Sequence, residues 1–167
     1  MQTPIWLNSW RMTWYPRMLI VGVVAGLLIA VLCGKGAETL TGGRLGGDFP
    51  AFYGAGRTVA EGRFDDLYNF RHEAGVQKGL IPGNDAAEMA MPFPYPPFVA
   101  LAYYPATLLG YRLSFLVHAL LMMLLLTVSS WILSRHIGYF QNYLALLFCI
   151  LLFYYPMLRS EIGRAHV

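Results

Sequence analysis

The chain has 167 residues, 57% hydrophobic, 15% aromatic and 13% charged, with a mean hydropathy of +0.49. A soluble globular surface draws on about 25% charged residues, so this makeup excludes an ordinary water-clothed enzyme and, by its hydrophobicity, a disordered chain. The net charge of +3 comes from 12 basic and 9 acidic residues spread along the chain, without the basic run of a nucleic-acid footprint; membrane lipid is the expected partner.

Met18–Gly34 runs 17 residues without a charge, behind a collar of Trp14 and Tyr15 suited to a headgroup boundary. The first membrane span is therefore expected at about 15–34. Its apolar stretch exceeds the ~7–15 residues of a secretory signal and lacks a clean small-x-small cleavage site, which predicts a retained anchor. Arg11 and Arg17 place the amino terminus in the cytoplasm.

A long loop, 35–112, is then extracytoplasmic; its 35–96 portion carries six basic and eight acidic residues. Thr41–Gly47 is glycine-rich. Asp48 stands as an N-cap before Phe49 and Pro50, and Phe49, Phe52, Gly56 and Val59 recur at helical steps until Gly62, predicting a helix over 49–61. One apolar face suggests that this helix lies in the membrane surface. A second short helix is predicted over 70–80, followed by a turn at Pro82–Asp85. Pro92, Pro94, Pro96 and Pro97 force an extended approach through Phe93 and Tyr95. The apolar run 97–109 would cover about 20 Å as a helix, short of a ~30 Å hydrocarbon core, and is expected to be interfacial.

Leu113–Leu133 gives a second span, interrupted only by His118, and Arg135 with His136 mark a cytoplasmic turn. Ile137–Leu158 gives a third span, weakened at its start by Gln141 and Asn142. Cys33 and Cys149 fall at different depths and read as small core residues. The expected fold class is all-α integral membrane, with three transmembrane helices and interfacial amphipathic helices in a long first outer loop.

The residues Asp48-Phe49, Phe52-Tyr53, Ala55-Gly56-Arg57, Glu61-Gly62, Leu67-Tyr68 and Phe93-Pro94-Tyr95-Pro96-Pro97 form a loose pattern. Together, within about Arg17–Leu158, they resemble the amino-terminal part of glycosyltransferase family 87. Those polytopic enzymes have the GT-C fold and include mannosyltransferases acting on phosphatidylinositol mannosides. The resemblance implies that 1–161 is part of a GT-C transmembrane domain in a bacterial plasma membrane. It further implies transfer of a hexose such as mannose from a polyprenyl-phosphate carrier to a lipid or glycan acceptor at the extracytoplasmic face, with Asp48 as general base.

The chemistry asks for a carboxylate within ~2.6–3.2 Å of the attacking hydroxyl, and for a cation or helix N-terminus near the leaving phosphate. Arg57, about 13 Å along the same helix from Asp48, suits the phosphate; the competing reading is a snorkelling surface arginine. An aspartate before a helix is, without the resemblance, most often only a cap. Tyr53 and Tyr95 complete the expected substrate contacts with His118, an intramembrane polar group. Tyr95 and its prolines suit either stacking on a sugar or prenyl chain or a purely shape-fixing role, and His118 suits either substrate or a backbone carbonyl. Adjacent Asp65 and Asp66 diverge and lack a third ligand, so no metal site is assigned; His72 is read as a loop histidine without chemistry. No cofactor is expected, and a divalent-metal requirement stays open. From a different class, a small non-catalytic membrane scaffold or accessory subunit accounts for the same composition.

Ile162–Val167 reads like translated sequencing adapter rather than natural coding sequence. This predicts that the chain is an amino-terminal fragment, inactive alone, and that further spans complete the carrier groove.

Overall fold

The computed structural model describes residues 8–33, Ala37, 45–80 and 90–164, with side chains as far as Tyr154. The predicted turn at Pro82–Asp85 and part of the glycine-rich tract lie outside the described residues. These are all-helical, with no strand among them: α1 Ser9–Cys33, α2 Phe49–Ala60, α3 Phe70–Lys78, α4 Pro97–Tyr103, α5 Tyr111–His136 and α6 Leu144–Arg164.

Two helices, α1 and α5, are long and apolar enough to cross a membrane. Only 11% and 6% of their apolar windows are buried, so they present hydrocarbon outward in the manner lipid accommodates. Asn8 starts α1 earlier than hydropathy suggests, its Oδ1 accepting from the Arg11 N–H at 2.8 Å. Among the described residues, the segment expected as a third span, from Ile137, is not one of the helices that meet that length and hydropathy. Gly138–Asn142 winds into a 3-10 turn, and the apolar part of α6 described with side chains is Leu144–Tyr154. Gly138 and the polar Gln141-Asn142 pair weaken α-helix there.

The chain divides into two compact units. The first, residues 1–26 and 119–167, buries Leu147, Phe148 and Cys149 together with the hydroxyls of Ser130 and Ser134. Each hydroxyl bonds its own helix, to the Leu126 and Trp131 carbonyls. Both cysteines are free thiols, and that of Cys149 donates to the Pro16 carbonyl at 3.5 Å.

The second unit, Leu27–His118, is built around α2. Nine of the 12 residues of α2 are buried, including Ala51, Gly54, Ala55, Gly56 and Thr58, more than the single apolar face read from the sequence. Gly56, on the same face as Phe49 and Phe52, admits the Tyr103 backbone, while Gly54 on the other side admits the Val76 and Gln77 side chains. Gly62 (φ +72°) closes α2 as predicted, with Arg63 N–H on Thr58 O and Gly62 N–H on Val59 O satisfying the last carbonyls. Helix α4, part of the 97–109 segment, buries Ala100 completely and packs on α2. It tightens into a 3-10 turn over Tyr104–Leu108, because Pro105 has no N–H for the α-helical bond. At the start of α5, Arg112 donates to the Ala30 and Val31 carbonyls at 3.2 and 2.5 Å. It thereby caps the carbonyl-rich end of α1, where a cation is favoured.

Candidate functional site

The chain enters α2 through Gly46 (φ +93°) and Gly47 (φ +55°), conformations that favour glycine. Phe49 follows, fully buried, with its ring 5.1–6.2 Å from those of Tyr53, Tyr103, Tyr111, Phe115 and His118. Asp48 is thus held between a glycine turn and an anchored aromatic. It occupies the N-cap position, but its side chain makes no capping bond. The backbone there is helical (φ −82°, ψ −8°) rather than extended, and Pro50 lacks one N–H a cap would take. The half-buried Asp48 instead lines a cleft of about 160 Å³ with Ala51, Phe52, Met91, Pro92, Pro94 and Tyr95.

The far wall is the extended segment Met91–Tyr95. Pro92 and Pro94 have no N–H, so the segment cannot pair as a ladder strand, and its remaining polar groups need side-chain partners. Gln77 supplies two bonds: its Nε2 donates to the Met91 carbonyl at 2.7 Å and its Oε1 accepts from the Met91 N–H at 2.9 Å. Glu73 Oε2 accepts from the Phe93 N–H at 2.9 Å, and the Tyr68 hydroxyl donates to the Tyr95 carbonyl at 3.0 Å. Glu73 and Gln77, 3% and 1% exposed, project from one face of α3, four residues apart. Burial pushes the Glu73 carboxyl above the ordinary glutamate value, against the smaller pull of the Phe93 N–H. Both residues escaped the sequence reading. The signal for them was the proline alternation, which announces backbone donors without a sheet partner.

Of the expected substrate contacts, Tyr95 joins Asp48 at the cleft. It is 40% exposed and ends an aromatic stack in which Phe52 lies 4.8 Å from Tyr95 and 5.0 Å from Tyr103. His118 is not on the cleft lining; its Nδ1 meets the Tyr103 hydroxyl at 3.1 Å, behind the stack. Burial raises the Tyr103 phenol above its ordinary value. Tyr53 is a core residue, 5% exposed, with its hydroxyl donating to the Leu109 carbonyl at 3.0 Å. Arg57 is exposed and pairs with Glu61 at 4.0 Å, away from the cleft lining. The small buried residues on either side of it in α2 leave the arginine on the one solvent-facing edge. His72 is tied to the fold, its Nε2 3.1 Å from the Thr58 hydroxyl. The Arg63 guanidinium lowers the Asp66 carboxyl, with a 2.6 Å ion pair, and Asn69 adds a further bond. Among the described residues no group of three or more His, Cys, Asp or Glu could hold a metal ion.

No family model, no curated protein and no solved structure matches the chain.

Proposed function

We propose that the protein is a polyprenyl-phosphate-dependent membrane glycosyltransferase of the GT-C class in which Asp48 acts as general base. Helices α1 and α5 cross the membrane in this reading and α6 contributes a third span. A hexose such as mannose is moved to a lipid or glycan hydroxyl at the extracytoplasmic face. One observation carries the assignment: Asp48 stands at the N-cap position without a capping bond and is a lining residue of a cleft walled by Phe52 and Tyr95.

The step is a displacement at the anomeric carbon. The acceptor O–H gives its proton to the Asp48 carboxylate as the new C–O bond forms and the bond to the carrier phosphate breaks. The orientation draws support from Arg17 over the Trp14 ring at 5.4 Å and Arg135 over Trp131 at 4.0 Å, cation–aromatic anchors suited to the cytoplasmic boundary.

The test is an assay of membranes containing the native gene product with radiolabelled polyprenyl-phosphate sugars. Transfer that disappears in Asp48→Asn supports the reading. Undiminished transfer by that variant, or none by the wild type with any such donor, overturns it.

A further inference from the structure

We propose that Gln77 and Glu73 are positioning residues of the Asp48 cleft: from α3 they set the register of the Met91–Tyr95 strap and so the placement of the wall facing the carboxylate. The kinetic part of this inference rests on the function proposed above; the structural part does not.

Neither residue lines the cleft, yet each binds backbone of the segment that does. Gln77 both donates to and accepts from the same residue, Met91, which sets the strap's orientation as well as its position. A single bond leaves a rotation free; the doubled bond removes it. Glu73 then takes the next available donor, Phe93, two residues on, where the extended chain again turns the same edge toward α3. Pro92, between these anchors, and Pro94, just beyond them, line the cleft. Slippage by one residue would present a proline, with no N–H, to Gln77 or Glu73, so the alternating prolines exclude that slip. The helical base is itself held against α2, since the Gln77 Cγ lies 3.7 Å from where a Cβ on Gly54 would stand. Asp48 begins α2, so both cleft walls are referred to one helix.

Amide hydrogen exchange on the intact protein in detergent or nanodiscs, read beside transfer kinetics, tests this. Slow exchange at Met91 and Phe93 is expected in the wild type. Gln77→Met should speed Met91 exchange by about 10-fold, which is ~1.4 kcal/mol of lost hydrogen bonding, while Val59 in α2 stays protected. Glu73→Gln, which keeps an oxygen for the Phe93 N–H, should preserve protection that Glu73→Leu loses. Should Gln77→Met not fold, Gln77→Asn, which withdraws the same amide by one methylene and adds no charge, should likewise speed Met91 exchange. In transfer, Gln77→Met should lower kcat by about 10–100-fold in properly folded protein, the cost of misplacing reacting groups. Unprotected Met91 and Phe93 amides in the wild type, or a loosened strap with unchanged kcat and KM, overturn the inference. A wild type that transfers no sugar overturns the proposed function instead, and the exchange data then decide the strap alone.

Discussion

Gly56 approaches Tyr103 so closely that a Cβ at position 56 would stand 2.9 Å from the Tyr103 carbonyl oxygen and 3.1 Å from the Thr107 methyl. The obstacle is backbone, which cannot rotate aside. Gly56→Ala should therefore destabilise the protein by ~1–3 kcal/mol, although alanine favours helix by up to ~1 kcal/mol over glycine. Gly54→Ala meets only side-chain atoms at 3.7 Å and should be neutral or stabilising. Thermal unfolding of the two variants in one detergent checks the pair; equal melting temperatures would contradict the close α2–α4 packing.

Replacing the Asp48 carboxylate should remove the base without removing the cleft. Asp48→Asn is expected to reduce transfer by ~10²–10⁴-fold, the usual contribution of general-base catalysis. Circular dichroism and size-exclusion profiles of the same preparation separate that loss from unfolding.

Glu73 gives the protein a pH dependence of definite sign. Its folded pKa is raised by burial, so the folded state holds the proton more tightly than the unfolded chain. Stability should fall as pH rises from the ordinary glutamate value up through the raised one, then level off. Glu73→Gln should flatten this part of the profile. Melting temperatures from pH 4 to pH 8 test it, and a wild-type curve that rises with pH across that window while the variant's stays flat would reverse the assigned sign. Asp66, lowered by Arg63, acts oppositely: its contribution is present above the ordinary aspartate value and is lost in stronger acid.

Tyr53 was expected to meet substrate and is instead committed to the Leu109 carbonyl. Tyr53→Phe should cost ~0.5–1.5 kcal/mol of stability and leave KM unchanged. A raised KM at unchanged stability would return the residue to the binding site.

The proposed topology places exposed Glu61 outside and exposed Arg135 inside. Single cysteines at these positions, in a background lacking Cys33 and Cys149, should react with a membrane-impermeant maleimide in whole cells only at position 61. The opposite pattern inverts the orientation.

By itself the sequence determined what depends on neighbours a few residues away. The charge-free runs of α1 and α5, the Gly62 stop of α2, the Asn69 start of α3 and the break at Pro105 all express local hydropathy, capping or a missing N–H. Tertiary structure decided what those groups do. Gly56 reads locally as one position on the apolar face of α2, but Tyr103 and Thr107 laid against it, with Ala51, Gly54 and Thr58 also buried, make the helix the centre of a core. Asp48 has the local form of a cap, yet a helical ψ and the cleft opposite Met91–Tyr95 give its carboxylate another surface. Glu73 and Gln77 look like a solvated helical edge until a strap 14 to 20 residues onward brings donors that its own prolines leave unmatched. Such partnerships depend on which distant backbone is left unsatisfied, and only the closed chain determines that.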